Sequence, residues 1–380
     1  MTVEQSTLPE PLELARLYEI LRTPPPCVTI FLPPYHPGET AKSSASLLKA
    51  NVQDAARTLS GQGLTKAAVA ALLEPLERLA GDPSSFAGSR WGRVIFCSPE
   101  VFCQFQLMQS PKPAMTIAGC FSIRRLLSEL WTPKLFYLLA LSKESVHLYR
   151  CNGEGAESAS LPEGVPATLE EALAFDPPDH DLENRSAAGI STGSMHAVRF
   201  GTGSGRETQG AHLSDYYKMV DRGMHRLLHE PGIPLVLAGV EEDLVAYRSV
   251  STHRNLARTS LPGSANLSAP PAERILYLSS RLRAEELAYE MEALKGAQEH
   301  AIPSRFLTDA DAVLSAAFEG RVHQLYVDER AERIGSYRTW FNEEILNLAA
   351  VETLVNGGKA FELPENMMPA GAAVVAVLRY

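Results

Sequence analysis

The sequence predicts a mixed α/β and α+β protein of three domains, and three observations lead to this prediction. Its 380 residues are too many for one ordinary domain, and 45% of them are hydrophobic, so more than one core can be buried. Short apolar runs of strand length alternate with longer runs of helical spacing. Breaks at Trp131-Thr132-Pro133 and across Pro262–Pro271 separate the runs into groups. We therefore expect domains at residues 1–131, 132–262 and 263–380.

The first segment, residues 1–131, has the pattern of an α+β domain. Its predicted elements are, in order, the helix Leu12–Leu21, the strand Cys27–Leu32, the helices Ser44–Leu59 and Thr65–Leu79, and the strands Arg93–Cys97 and Val101–Leu107. Pro33 and Pro34 end the first strand because proline has no backbone N–H to donate. Gly81-Asp82-Pro83 ends the second long helix.

The second segment, residues 132–262, predicts strands and helices separated by a long irregular stretch. Asn152–Thr208 contains many Gly, Pro, Ser and Asp residues, and we expect much of it to be loop. A helix begins at Ala211, because apolar residues recur at helical spacing from Leu213 to Leu228. The remaining predicted elements are the strands Leu135–Leu141, Val146–Cys151 and Pro234–Val240 and the helix Glu241–Ser249.

The third segment, residues 263–380, alternates helices and strands and predicts a layered sheet. Its predicted elements are the helices Ala272–His300, Ala310–Phe318 and Asn342–Asn356 and the strands Val322–Val327 and Ala373–Leu378. Gly357-Gly358 is a strong helix stop, because glycine tolerates the left-handed conformation that closes a helix. Asp309 and Asp311 precede an apolar helix and are interpreted as capping residues.

Composition limits the location and the partners of the chain. No apolar run reaches the roughly 18 to 20 residues of a membrane helix, and Met1–Leu21 carries glutamates where a signal peptide would be basic and apolar, so we expect a cytoplasmic protein without a membrane partner. The five cysteines form no CxxC pair and are interpreted as buried free thiols. A formal net charge of -10 argues against general coating of nucleic acid, so any RNA contact must be local.

Three pieces of the third segment carry a recognisable pattern: Val322–Asp328, Glu344–Thr353 and Ala370–Tyr380. This strand, helix with a glycine stop and closing strand resemble the C-terminal domain of the archaeo-eukaryotic release-factor superfamily, which includes Pelota and a set of bacterial relatives. The resemblance implies an N-terminal α+β domain, an RNase H-like middle domain with a glycine-rich loop, and a C-terminal layered α/β domain similar to a ribosomal kink-turn-binding fold. It further implies the ribosome, ribosomal RNA or tRNA as partners, and a translational GTPase as a candidate partner.

Release factors of this superfamily hydrolyse peptidyl-tRNA with a Gly-Gly-Gln motif, and this motif is absent here. The equivalent stretch runs from Gly201 to Gly210, where Gln209 is followed rather than preceded by glycine. Gln209 is therefore only a weak catalytic candidate. The stop-codon-reading motifs are also missing from the first segment, so codon-directed termination is not expected.

The stretch Gly201–Gly210 and the helix after it form the predicted RNA-binding site. Glycines allow a backbone to approach a ligand closely, and a helix N-terminus favours phosphate. From Arg185 to His229 there are six Lys or Arg against three acids, a local balance of +3. The predicted RNA-binding residues are Gly201, Gly203, Gly205, Arg206, Gln209, Gly210, Lys218, Arg222 and His225. A flexible surface loop, a small-molecule phosphate site and a solvated charged face are the alternative interpretations.

Other polar clusters point less clearly to chemistry. His180, Asp181 and Glu183 are interpreted as an exposed loop rather than metal ligands. The carboxylates that a nuclease would need, Asp176, Asp179 and Asp243, cannot be brought together from sequence. Trp340-Phe341 is interpreted as core rather than as a partner patch. No metal and no cofactor are expected.

The sequence therefore predicts a release-factor-like, ribosome-binding protein that acts in rescue, stress or hibernation and contacts RNA through its middle segment. An enzyme is the second hypothesis, either a residual peptidyl-tRNA hydrolase or a metal-dependent nuclease. A protein interaction scaffold without RNA binding is the third, and it is favoured if the face through Lys218 and Arg222 is buried or neutralised.

Overall fold

A computed structural model describes residues 4–5, 10–34, 41–86, 91–108, 110–133, 135–152, 155–175, 204–227, 232–263, 269–300, 305–331, 334–335 and 343–380. The mixed α/β architecture that the sequence predicts is confirmed. The chain forms two compact units, of which the first combines Met1–Trp131 with Met291–Tyr380 and the second is Thr132–Glu290. The division into three domains at residues 131 and 262 stays a prediction.

The N-terminal part of the first unit is a mixed sheet with the strand order β1-β5-β4-β3-β6, in which β2 also pairs with β5. Its elements are β1 (Glu4–Gln5), β2 (Glu10–Pro11), α1 (Leu14–Ile20), β3 (Cys27–Leu32), α2 (Ala41–Gly61), α3 (Lys66–Ala80), β4 (Gly92–Cys97), β5 (Val101–Leu107), β6 (Ala114–Ala118) and α4 (Arg124–Leu130). Val28, Ile30 and Leu32 pack in one core with α2 and α3, whereas Cys27 and Phe31 belong to another. Both faces of β3 are thus covered, which explains its unbroken apolar sequence.

The second unit contains a five-stranded sheet with the order β11-β10-β7-β8-β9. Its elements are β7 (Leu135–Leu141), β8 (Val146–Asn152), β9 (Gly155–Ala159), α5 (Leu169–Phe175), α6 (Ser204–Leu227), β10 (Leu235–Gly239), α7 (Glu241–Val250), β11 (Leu256–Pro262) and α8 (Ala272–His300), the last of which continues past Glu290. Strands β7, β8 and β9 form an antiparallel meander, and β10 and β11 extend the sheet in parallel with β7. Residues of α5, α6 and α7 share one core with the sheet, and residues of α8 share another.

The C-terminal part of the first unit is a four-stranded sheet with the order β12-β17-β13-β16. Its elements are β12 (Phe306–Leu307), α9 (Ala310–Phe318), β13 (Val322–Asp328), β14 (Ile334–Gly335), β15 (Glu343–Glu344), α10 (Ile345–Val355), β16 (Lys359–Leu363) and β17 (Val374–Leu378). The capping role of Asp309 is confirmed, since its carboxylate accepts the N–H of Ala312 at 3.0 Å. The helix stop is confirmed too, with Gly357 at φ +75°.

The two parts of the first unit share one hydrophobic core, and buried polar groups join them. The side-chain oxygen of Asn347 accepts the backbone N–H groups of Ile123 (2.7 Å) and Arg124 (3.3 Å), and its amide donates to the carbonyl of Phe121 (2.9 Å). The amide group of Asn347 therefore satisfies the backbone just before α4. This connection between distant parts of the chain was not predicted from the sequence.

The guanidinium of Arg124 makes the complementary connection. Its Nη1 donates to the carbonyl of Ala331 (2.7 Å) and to the Glu344 carboxylate (2.9 Å), and its Nη2 donates to the carbonyl of Asp328 (2.7 Å). Glu344 in turn accepts the N–H groups at the start of α10, Leu346 at 3.1 Å and Asn347 at 2.7 Å. Arg124 is only 7% exposed. Its guanidinium and the oxygen atoms that accept from it therefore need one another as hydrogen-bond partners.

Other expectations are answered by single observations. The five cysteines are thiols, as predicted; four are buried and Cys120 is half-buried. Within the part of the chain that the structure describes, no helix is both long enough and apolar enough to cross a membrane. His180, Asp181, Glu183, Trp340 and Phe341 lie outside the described residues.

The substitution Arg124→Met should destabilise the first unit by about 3 to 5 kcal/mol, because it leaves the Glu344 carboxylate and two carbonyl groups without their buried donor. Urea unfolding followed by tryptophan fluorescence measures this unit selectively, since Trp91, Trp131 and Trp340 all fall within its sequence.

Arg330→Met is the matched control, because Arg330 is exposed and pairs with exposed Glu365 at 3.3 Å. Its effect should stay under about 1 kcal/mol. Equal unfolding midpoints for the two variants would contradict the role given to Arg124.

Candidate functional site

The predicted glycine-rich loop is mostly helix in the structure. Helix α6 begins at Ser204, so Gly205, Arg206, Gln209 and Gly210 lie within it, while Gly201 and Gly203 lie outside the described residues. The prediction of an open loop over Ser204–Gly210 is therefore wrong. Extending a helix that has already formed costs only about 1 kcal/mol per glycine, and arginine, glutamate and glutamine between the glycines favour the helix.

The apolar stripe of α6 is confirmed where the structure describes its side chains. Tyr216, Tyr217, Val220 and Met224 are fully buried in the core of the second unit. Gly223 lies on the same side, where a Cβ atom would come within 1.9 Å of a methyl carbon of Val165. Glycine is thus required at position 223 by close packing, and the stripe determines which residues of α6 face outward.

The predicted basic face of α6 is outward and partly neutralised. Lys218 and Arg222 are exposed, and the ammonium of Lys218 lies 2.8 Å from the carboxylate of Asp215. Among the described residues, no hydrogen bond or ion pair engages the guanidinium of Arg222. His225 keeps 41% of its side chain exposed. The free cationic charge on the described part of this face is therefore at Arg222.

A buried carboxylate, Asp221, lies behind this face and binds the segment Ser251–Asn255 between α7 and β11. Asp221 is 3% exposed and accepts hydrogen bonds from the Ser251 hydroxyl (2.6 Å), the Thr252 N–H (2.9 Å) and the Thr252 hydroxyl (3.0 Å). The Tyr247 hydroxyl adds a longer contact at 3.3 Å. These donors compensate the carboxylate for its burial and fix the segment against α6.

Two histidines complete this cluster and stack with ring centroids 5.1 Å apart. The Nε2 of His225 lies 2.9 Å from the Thr252 hydroxyl oxygen. Since that hydroxyl donates its only proton to Asp221, Nε2 of His225 must be the donor in this contact. The Nδ1 of His253 accepts the N–H of Asn255 at 3.1 Å, so neutral His253 carries its proton on Nε2.

This arrangement differs from that of a nucleophilic catalytic triad. In a nucleophile–histidine–acid triad the two partners contact different nitrogens of the histidine. Here the Thr252 hydroxyl and the Asp221 carboxylate, at 3.5 Å, both approach Nε2 of His225. The hydroxyl of Thr252 is thus a donor to Asp221 and is not activated as a nucleophile.

The carboxylates of the nuclease hypothesis do not gather in the described part of the chain. Asp243 is buried, and burial, with the nearby Glu242, raises the pKa of its carboxyl while Lys143 and Tyr217 oppose that rise. Asp176 and Asp179 lie outside the described residues. Within those residues, no group of three His, Cys, Asp or Glu side chains could hold a metal ion.

Comparison with protein families finds a release factor-like match over part of the chain. Residues 134–271 match the sequence profile of Bacterial archaeo-eukaryotic release factor family 6. The class that these residues match is thus release factor-like, of the archaeo-eukaryotic type. The particular family matched is family 6 of the bacterial branch, and the resemblance predicted from the sequence is confirmed. The match lies within the second unit and ends before α8, and the motif pieces noted in the sequence lie outside it.

Solved structures give weak overall similarity. The archaeal translation termination factor aRF1 is 14% identical, with 97% of each chain covered and a TM-score of 0.24. A model of ribosome-bound archaeal Pelota and ABCE1 is 9% identical, covering 97% of this chain and 93% of that chain, with a TM-score of 0.39. S. cerevisiae Dom34, a translation termination-like factor interacting with Hbs1, is 11% identical over 79% of this chain and 82% of that chain, with a TM-score of 0.34. No curated protein matches the chain significantly.

The stability of the second unit should depend on the protonation of His253. Burial, with the nearby His225, lowers the pKa of His253, and the Asp221 carboxylate opposes this effect. As the pH falls below about 6.5, the unfolded chain takes up a proton before the folded chain does, so the free energy of unfolding decreases. The contribution of neutral His253 to the free energy of unfolding is complete above about pH 6.5, and it is lost as the pH falls through the lowered pKa of His253.

Hydrogen exchange on peptides from Thr132–Glu290, corrected for the intrinsic pH dependence of exchange, measures this effect between about pH 7 and pH 5. His253→Gln should flatten the pH profile, because glutamine does not titrate. His323→Gln serves as the control, since His323 is exposed on β13 of the first unit, and it should leave the profile unchanged. An unchanged profile in His253→Gln would show that other groups cause the pH dependence.

Proposed function

We propose that this protein is a release-factor-like, ribosome-binding protein that acts in ribosome rescue, stress or hibernation and contacts RNA through α6 of its second unit. One observation carries the proposal: the segment that matches a release-factor family also bears the exposed cations Lys218 and Arg222. The proposed partners are the ribosome, with its ribosomal RNA or bound tRNA, and a translational GTPase.

The charge distribution supports a local rather than a general RNA contact. The chain has a net charge of -10, so it repels a polyanion on average. A helix face that exposes Lys218 and Arg222 overcomes this repulsion only where RNA approaches that face. Phosphate contacts of this kind position a protein without reading sequence, as expected for a factor that recognises a ribosomal state.

The RNase H-like assignment of the second unit is part of the proposal. Its antiparallel meander β7-β8-β9, extended by parallel strands β10 and β11 with helices on both faces, supports that assignment. A fold of this type does not itself imply nuclease activity, because activity depends on the residues of the site.

The enzyme and scaffold hypotheses are less well supported. Peptidyl-tRNA hydrolysis by Gln209 would need an exposed glycine-rich turn, and Gln209 instead belongs to helix α6. The scaffold hypothesis requires a buried or neutralised basic face. Asp215 neutralises Lys218 in part, but Arg222 is exposed and has no carboxylate partner among the described residues, which favours the RNA-binding hypothesis.

Co-sedimentation with ribosomes tests the proposal. The wild-type protein should pellet with ribosomes from growing or starved bacteria at low salt and be released as salt rises. Lys218→Glu/Arg222→Glu should weaken association by about tenfold, and each phosphate group that the variant no longer binds should lower the slope of log affinity against log salt by roughly one.

Lys49→Glu/Arg57→Glu is the matched control, because both residues are exposed on α2 and Arg57 pairs with Asp54 three residues away, as Lys218 does with Asp215. This control changes the net charge equally and should pellet like the wild type. The proposal is wrong if the two double variants pellet equally, or if the wild type shows no salt-sensitive association.

A further inference from the structure

We propose that the segment Ser251–Asn255 is a second RNA-binding element, which holds a phosphodiester group between Arg254 and Arg222 of α6. This inference rests on the proposed function and extends it, because it adds a contact segment outside α6. The sequence reasoning did not identify this segment.

The segment is held rigidly before any ligand binds. Asp221 fixes its first two residues through the Ser251 hydroxyl and the N–H and hydroxyl of Thr252. Within the segment, the His253 N–H reaches the Ser251 hydroxyl at 3.3 Å, and the Asn255 N–H reaches His253 at 3.1 Å. A backbone ordered in this way loses little conformational entropy on binding, which favours affinity.

Two cationic side chains remain available at this corner of the unit. Arg254 and Arg222 are exposed, and among the described residues no hydrogen bond or ion pair occupies either guanidinium. The ring of His225 on α6 stacks on the ring of His253 in the segment. His225 lies one helical turn after Arg222, and His253 is next to Arg254 in the sequence. The stack therefore places the two arginines on neighbouring parts of the surface. Guanidinium groups bind phosphate oxygens through paired N–H donors, so this pairing fits a phosphodiester.

Among the residues that the structure describes, no carboxylate forms an ion pair with Arg254 or Arg222. Asp221 is buried and already accepts the donors of the segment. The acidic start of α7, Glu241–Asp243, is about 10 to 15 Å away along the helix, near or beyond the screening length at physiological salt. The exposed Thr252 adds a hydroxyl oxygen that can accept a hydrogen bond from a ribose hydroxyl.

A purely structural role for Arg254 and Arg222 makes a different prediction. Both residues lie near the carboxyl ends of helices, α7 and α6, where cations stabilise the helix dipole. In that case their removal would lower the melting temperature and leave RNA affinity unchanged. Measuring both quantities on the same variants separates the two roles.

The test uses the full chain and a fluorescein-labelled oligouridine of about 15 nucleotides, a length within the range that single-strand-binding proteins cover, with binding followed by fluorescence anisotropy. Arg254→Ala should weaken binding at least about fivefold at an unchanged melting temperature and lower the salt slope by about 0.7, the value for one phosphate contact on a single strand. Arg254→Lys should keep the wild-type salt slope. Arg281→Ala, which removes an exposed arginine from α8 of the same unit, should bind within about twofold of the wild type.

The outcomes separate this inference from the proposed function. The inference is overturned if Arg254→Ala binds oligouridine within about twofold of the wild-type affinity. The proposed ribosomal role still stands in that case if the wild type pellets with ribosomes. If the wild type binds oligouridine through Arg254 but does not pellet, the inference stands and the ribosomal role fails. If the wild type binds neither RNA nor ribosomes, both fail.

Discussion

The buried carboxylate of Asp221 is the constraint on which the candidate site depends. An ionised carboxylate withdrawn from water is tolerated only when protein donors replace the lost hydration. Asp221 obtains its donors from Tyr247 of α7 and from Ser251 and Thr252, all remote from α6 in sequence. The orientation of α6, the path of the Ser251–Asn255 segment and the stacking of His225 on His253 are therefore linked to one another. The negative charge of Asp221 would by itself repel RNA, but its hydrogen bonds hold α6 and the Ser251–Asn255 segment, which carry Arg222 and Arg254, in place.

Buried, hydrogen-bonded polar groups also fix the arrangement of elements in the first unit. Asn347 and Arg124 are buried polar groups whose partners lie more than 200 residues away in the chain, and they join two parts that share one hydrophobic core. Apolar packing alone would tolerate many relative positions of α4 and α10, because the hydrophobic effect is not directional. The directed hydrogen bonds at Asn347 and Arg124 select one of them. Buried polar groups thus specify geometry in both units.

Sequence patterns predicted the long elements well and the site poorly. Helix α3 was recognised because burial of one face imposes a regular spacing. Strand β13 and helix α10, which is buried almost all round, were recognised instead from their apolar runs and from the glycine stop after α10. The short elements β9 and α5 were missed because they lie in a stretch whose composition is typical of loops. The start of α6 was misplaced because its glycines were interpreted as a loop, although helix extension tolerates them. Asp221 was counted only as an unfavourable charge, since its partners could not be known without the fold.

Hydrogen exchange at the Thr252 amide tests the central role of Asp221 most directly. That N–H donates to the Asp221 carboxylate at 2.9 Å, and a hydrogen bond to a charged group contributes about 1.5 to 3 kcal/mol. We therefore expect Asp221→Asn, which turns an amide NH2 toward these donors, to accelerate exchange at Thr252 by roughly 10- to 100-fold. Asp215→Asn, at an exposed position of the same helix, should leave the rate within about twofold. Slow exchange at Thr252 in Asp221→Asn, equal to that of the wild type, would contradict the role given to Asp221.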